Sequence, residues 1–249
     1  KHRKEHLEET YMRIAQKYEY AGNLTKAEKY FVEAKMWKHA VNMYRNCNKI
    51  EDAKRVAKNH GGRQAYENVV LVQAQDVLKE KGPEAGCDIL LKNNLTDMAI
   101  DYALEHHLFD YAINLAKNNA PHKMVDIHLK KALQLEDDEM FKQAEEEFIL
   151  ALKPKEAIDM HIHQRDWASA KRVAEQHCRD ELLNITIEQA KEMVEENNLS
   201  NAENLFLHAK QPEMAVDMYV KKFQFQEAIR VCKKYCPNML PEVLDAAGR

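Results

Sequence analysis

No stretch of this 249-residue chain approaches the roughly 20 consecutive apolar residues that a membrane helix needs, so a bilayer-spanning helix is excluded. Basic residues are not in excess either. Lys and Arg number 37 against 41 Asp and Glu, the formal net charge is -4, and the two signs are mixed along the chain with no basic stripe, which argues against nucleic acid as a partner. Glycine is scarce, and none of the six forms a GxxxxGK or GxGxxG string that would cradle a phosphate. The five cysteines, Cys47, Cys87, Cys178, Cys232 and Cys236, are odd in number and widely scattered. They suggest no disulfide framework, and a reducing cytosolic compartment fits them best. No nucleophile, histidine and carboxylate constellation is recognisable. The expectation is a protein that is not an enzyme and uses no cofactor. The opening "KHRKEHLEETYM" carries neither an initiator Met nor the apolar stretch of a signal peptide, so the chain reads as a piece of a longer polypeptide. Alternating apolar and polar stretches flanked by turn signals are missing too, which argues against a sheet.

What the chain has instead is one sentence written several times. Residues 27–44 read "AEKYFVEAKMWKHAVNMY", residues 144–161 "AEEEFILALKPKEAIDMH" and residues 202–219 "AENLFLHAKQPEMAVDMY"; a weaker copy begins at Gly86. The starts lie 59, 58 and 58 residues apart. Thirteen residues into each copy stand Ala40, Ala99, Ala157 and Ala215, each followed by a branched residue. Twenty-six residues in stand Ala53, Ala112, Ala170 and Ala228, and three positions before these come Ile50, Phe109, Trp167 and Phe225. Ala27, Phe31 and Ala34 share one helical face through i, i+4 and i+7 spacing, as do Ala144, Phe148 and Ala151, and Ala202, Phe206 and Ala209.

The breaks are as regular as the stripes. Pro154 and Pro212 occupy one position of the copy, where Trp37 and Thr96 stand in the others, and proline fits the first turn of a helix but not its interior. Asn42, Asp101, Asp159 and Asp217 follow close enough to that start to be expected within reach of the helix macrodipole. Longer helical words separate the copies, and Gly22, Gly61, Gly62 and Gly82 fall where these helices should stop. The prediction is an all-α chain with four short helices, or two hairpins, in each unit of about 58 residues. The units fall near 7–62, 63–121, 122–179 and 180–238, with 239–249 beginning another helix. Recurrent alanines allow close helix crossings while Phe31, Phe148 and Phe206 fill the gaps beside them. Phe109, Trp167 and Phe225 recur at one position and are expected in the core as well. A hairpin that cannot bury its own apolar face is covered by the next copy, which predicts a right-handed α-solenoid over residues 1–249 whose exposed ends favour self-association.

The "A-E-x-x-F-x-x-A" words resemble the second helix of a tetratricopeptide (TPR) repeat, with fewer residues per hairpin than the usual 34. More specifically, "AGNLTKAEKYFVEAKMWKHAVNMYR", "AKRVAKNHGG" and "AEEEFILALKPKEAIDMHIHQRDWASAKRVAEQH" resemble the helical region of the largest WD-repeat-plus-TPR subunit of intraflagellar-transport complex B. The likeness covers most of residues 7–238 and is weakest in the second unit, where Gly86 and Asn93 replace alanines. It implies a non-enzymatic scaffold that holds other complex B subunits, and complex A components, in cilia at the axoneme and basal body. An alternative keeps the solenoid but places it in a complex A subunit or a vesicle-coat-like WD-repeat protein.

Candidate chemistry is sparse. Cys232 and Cys236 are one helical turn apart, but a structural zinc takes four ligands and no further His or Cys is near; Cys232 also stands where Ala57, Ala116 and Ala174 stand in the other units. His161 occupies the position of Tyr44 and Tyr219 and reads as a packing residue, with His163 near the helix end. A metal or thiol enzyme built on these groups is the third reading. The acidic words "LEDDE" and "AEEEF" read as solvated helix faces. Trp37 replaces a helix-start residue and is the candidate for an exposed partner contact.

Overall fold

In the computed structural model, residues 2–248 are described, with side chains from His6 onward, and every regular element among them is helical. The helices are α1 (His2–Tyr20), α2 (Leu24–Glu33), α3 (Trp37–Asn46), α4 (Ile50–Lys81), α5 (Pro83–Lys92), α6 (Thr96–Glu105), α7 (Phe109–Asn119), α8 (Met124–Asp137) and α9 (Phe141–Leu150). They continue as α10 (Pro154–His163), α11 (Trp167–His177), α12 (Leu182–Glu195), α13 (Leu199–His208), α14 (Pro212–Lys221), α15 (Phe225–Tyr235) and α16 (Leu240–Gly248). Residues 1–124 form one compact unit and residues 125–249 a second.

Within the first unit each helix from α1 to α7 packs on its neighbour in sequence, and within the second each helix from α9 to α16 does so. α4 is two helical limbs joined across a kink at Gly62, whose φ of 73° lies in the left-handed region that a side chain disfavours. Its first limb ends one repeat and its second limb, residues 63–81, opens the next. Pro83, Pro154 and Pro212 each occupy a first helical position, where the missing N–H costs no hydrogen bond.

The short turns share one construction. Lys35 and Asn48, Asn94 and His107, then Glu139, Leu152 and Arg165, then Asn197, Lys210 and Phe223 all have φ between 56° and 60°, and within each set they recur every 13 residues. At the first of these turns Met36 N–H donates to Phe31 O and Lys35 N–H to Val32 O, both at 2.8 Å. This pair of bonds is the Schellman closure, which satisfies carbonyls left over at a helix end.

Burial follows the repeated alanines. Ala40, Ala99, Ala157, Ala215, Ala53, Ala112, Ala170 and Ala228 are wholly inaccessible, and Phe31, Phe148 and Phe206 are buried beside them. In the first unit, the core of Ala27, Phe31, Ala40, Ala53 and Val56 is completed by Val69 from the second limb of α4. In the second unit, the core of Ala144, Phe148, Ala157 and Ala170 is completed by Ile185 from α12, and that of Ala202, Phe206, Ala215 and Ala228 by Val243 from α16. A hairpin pair therefore finishes its core with the first helix of the following repeat. An all-α array of helical repeats is what results.

Two expectations need correction. Phe109, Trp167 and Phe225 are the first residues of α7, α11 and α15 and are only half-buried; Trp167 packs against the edge of the third repeat's core, its indole N–H donating to Glu192 at 2.6 Å. Asn42, Asp101, Asp159 and Asp217 are each the sixth of ten residues in their helix, beyond the first turn in which the macrodipole acts.

Candidate interaction surface

The repeated polar residues assemble into a clamp. In the first repeat the Glu28 carboxylate accepts two bonds from Arg55, Nη1 to Oε1 at 2.9 Å and Nη2 to Oε2 at 2.7 Å, and a third from the Tyr44 hydroxyl at 2.7 Å. In the third repeat Glu145 accepts Arg172 Nη1 at 2.9 Å and Nη2 at 2.6 Å, with His161 Nε2 2.6 Å from Oε2. In the fourth, Glu203 Oε2 accepts from the Tyr219 hydroxyl at 2.7 Å and from Arg230 Nη2 at 2.5 Å. The glutamates come from α2, α9 and α13, the Tyr or His from α3, α10 and α14, and the arginines from the first limb of α4, α11 and α15. One carboxylate thus ties three successive helices together.

The chemistry explains the residue types. Glu28, Glu145 and Glu203 have side chains only 11 to 14% exposed, so each needs hydrogen-bond donors and a counter-charge to offset the cost of burial. Arginine supplies a fork matched to the two oxygens. The Arg55 hydrogen bonds hold the Glu28 carboxyl below the usual carboxylate range, against burial. At Glu145, burial alone would raise the carboxyl, but the hydrogen bonds from Arg172 and His161 outweigh it and the net direction is down. Burial, followed by the Glu203 hydrogen bond, pushes the Tyr219 phenol up to about 12, so it remains a donor throughout the neutral range.

The second repeat has no such clamp: Cys87, Ala103 and Asn114 stand in its three positions. Its core is rebuilt. The Tyr102 ring enters the space beside Gly86, where an added Cβ would fall 2.6 Å from the Tyr102 hydroxyl, and that hydroxyl donates to Ala74 O at 3.3 Å. Asn93 accepts from the buried Lys54 ammonium at 3.1 Å and from the Tyr66 hydroxyl at 2.9 Å. The departures at Gly86 and Asn93 therefore hold a different set of contacts.

Two clefts open over the clamps of the second unit. One of about 610 Å³ is lined by Met140, Lys142, Glu145, His161, Asp166 and Arg172; the other, about 500 Å³, by Asn198, Ser200, Glu203, Tyr219, Gln224 and Arg230. These are equivalent positions one repeat apart, so the array offers the same concavity twice with different side chains. In the first unit a smaller notch of about 230 Å³ lies beside Trp37.

His161 is a member of a clamp, and His163 is exposed near the end of α10. Cys232 and Cys236 are both buried; burial first and then the neighbouring Cys232 push the Cys236 thiol up to about 11, away from the thiolate that metal binding requires. Among the described residues no group of three or more His, Cys, Asp or Glu could hold a metal ion, and no helix is long and apolar enough to cross a membrane. Trp37, expected to be an exposed contact, is half-buried: it packs on the first core and its Cη2 lies 2.3 Å from where a Cβ on Gly61 would be. The clamp escaped the reading of the sequence, although its signal was present as Glu, Tyr or His, and Arg recurring together in the first, third and fourth copies and vanishing together in the second.

Comparison with known proteins gives one consistent result. The chain is 44% identical over 242 residues to intraflagellar transport protein 172 of Chlamydomonas reinhardtii, which is 97% of this chain and 14% of that protein. It is 41% identical over 239 residues to the intraflagellar transport protein 172 homolog of Danio rerio and 33% identical over 234 residues to intraflagellar transport protein osm-1 of Caenorhabditis elegans. The resemblance carried by the repeat words is borne out. The chain spans about 14% of the length of these relatives. No protein-family model matches it. The names do not favour the complex A or vesicle-coat alternative.

Proposed function

We propose that the chain, homologous along its length to a segment of intraflagellar transport protein 172, is a scaffold segment of an intraflagellar transport subunit. In this reading it works without catalysis, as a run of helical repeats whose outer surfaces hold other protein subunits. Its partners are other subunits of complex B, and complex A components, and it acts in the cilium, at the axoneme and basal body. The observation that carries the reading is the match at 44% identity over 97% of the chain. The repeat geometry supports it. Serial cores leave a long surface relative to volume, and long repeat surfaces characteristically serve as binding faces. The two units are, on this reading, consecutive stretches of one array spanning residues 1–249, and bare terminal faces self-associate as concentration rises.

The test is replacement of this segment within the full-length protein by an unrelated helical-repeat array of equal length, followed by co-fractionation with transport particles and measurement of cilium length. The expected result is lost co-fractionation of at least one subunit and shortened cilia. Normal particles and normal cilia would contradict the proposal. Small-angle scattering on the isolated chain addresses the single array: an extended profile is expected, and the radius of a compact globule would oppose it. Sedimentation at increasing concentration should show growing oligomers, and a monomer throughout would remove the self-association.

A further inference from the structure

The seam between the third helix of a repeat and the start of the next is bridged by the chain's own charges in two repeats. In the second repeat Lys123 Nζ spans it, 2.8 Å from both Asp101 oxygens and 3.1 Å from Asp97 O. In the third, Lys155 from α10 is paired with Glu181. In the first repeat the corresponding seam, between α3 and the second limb of α4, is crossed among the described residues only by the longer Arg45–Asp76 pair at 3.7 Å. Trp37, Val41, Val69 and Val72 wall the 230 Å³ notch there, with Lys38, Asn42, Arg45 and Asn68 around it.

The contents differ from the equivalent seams in three ways. The carboxylates Asp101, Asp159 and Asp217 are replaced by the neutral Asn42. Trp37 stands where Thr96, Pro154 and Pro212 stand, and its ring has room because Gly61 carries no side chain. The cations are underused: Lys38 lies over the Trp37 ring at 5.7 Å and has no anionic partner among the described residues, while Arg45 forms a long ion pair with Asp76 at 3.7 Å, beyond hydrogen-bond range. The side-chain amides of Asn42 and Asn68 have no hydrogen-bond partner among the described residues. A tryptophan beside an arginine, at the edge of a partly desolvated apolar notch, is the composition of a binding hot spot.

We propose that this notch docks an acidic segment of another polypeptide, one apolar side chain entering between Trp37 and Val69 while flanking carboxylates meet Lys38 and Arg45. The inference rests on the scaffold reading and adds where a partner sits and what it looks like. The apolar anchor removes the remaining water from the notch, and the carboxylates supply the counter-charges that Asp101 and Glu181 supply within the chain elsewhere. Asn42 and Asn68 are left to bond the partner's main chain.

The experiment places benzophenone-alanine at Asn42 in the full-length protein within its native assembly, irradiates it, and identifies the attached peptide by mass spectrometry. The expected product is one acidic segment of another polypeptide with an apolar residue at its centre. Lys38→Glu with Arg45→Glu should reduce its yield about tenfold or more, as charge reversal at a complementary rim does. Trp37→Thr, which copies the second repeat, should reduce it likewise and serves as the independent variant if the charge reversal misfolds. A basic or uncharged product, no intermolecular product, or a yield unaltered by folded variants overturns the proposal. Failure of the scaffold reading shows separately, as absence of the unmodified protein from transport particles.

Discussion

Replacing Glu145 by Gln preserves side-chain volume and removes the charge that joins α9, α10 and α11. Glu145 accepts from both Arg172 terminal nitrogens, at 2.9 and 2.6 Å, and lies 2.6 Å from His161 Nε2. Hydrogen bonds to a charged group contribute about 1.5 to 3 kcal/mol each, but the Arg172 side chain is 48% exposed and water reclaims it once the carboxylate is gone, so most of its share is discounted. His161, only 6% exposed by side chain, cannot be reached by water as readily and keeps one amide oxygen as partner. The net loss is about 2 kcal/mol, or roughly a 30-fold rise in local opening. Native-state hydrogen exchange should show protection falling by about that factor in α9, α10 and α11 while α1 to α3 keep theirs, because repeat energetics couple chiefly nearest neighbours. The pH dependence has a definite sign. The folded-state carboxyl of Glu145 is lowered, so its contribution is complete above the unfolded carboxylate range and disappears as pH falls through the lowered value. Glu145→Gln has no such contribution, and the difference between the two proteins should close in acid. A loss under about 0.5 kcal/mol, within the range of ordinary surface substitutions, or a gap of equal size at all pH values, would refute the clamp as a source of stability.

The second repeat offers a test by exchange. Gly86→Ala alone should destabilise by about 1 to 3 kcal/mol, since the new Cβ meets the Tyr102 ring; Gly86→Ala with Tyr102→Met restores the pairing of Ala27 with Met43 and should recover most of the loss in chemical denaturation. Ala157→Leu enlarges a wholly buried crossing point, and a loss of about 1 to 3 kcal/mol is expected from the same measurement. Leu152, 76% exposed with φ at 57°, holds a turn that glycine adopts without strain. Leu152→Gly should therefore leave the melting temperature unchanged or raise it.

The helices and their order were legible because alanine at fixed intervals and proline at helix starts are local signals whose meaning survives without coordinates. Helix ends were less so: Asn42 and its equivalents looked near a start, yet the turn lies five residues earlier. Phe109, Trp167 and Phe225 are half-buried and not interior, since recurrence identifies a shared position and not its depth. The clamp required joining residues 16 and 27 positions apart on three helices, as for Glu28, Tyr44 and Arg55. Hydrophobic periodicity carries no information about such a contact. Joint loss of all three members at Cys87, Ala103 and Asn114 was the signal that could have revealed it. Gly86 and Asn93 looked like decay of the pattern, whereas the Tyr102 ring and the Lys54 ammonium show a substitute core.

The claim beneath all of this is that a repeat completes its core with the first helix of the next, as Val69, Ile185 and Val243 do for the first, third and fourth repeats. Excision of residues 124–181, one full repeat length, tests it most directly. The shortened chain is expected to keep its helicity per residue and unfold cooperatively, because α12 then follows α7 in the place that α8 held, with equivalent residues in register. Loss of helicity or collapse to an aggregate, with the intact chain well folded under the same conditions, would contradict the account.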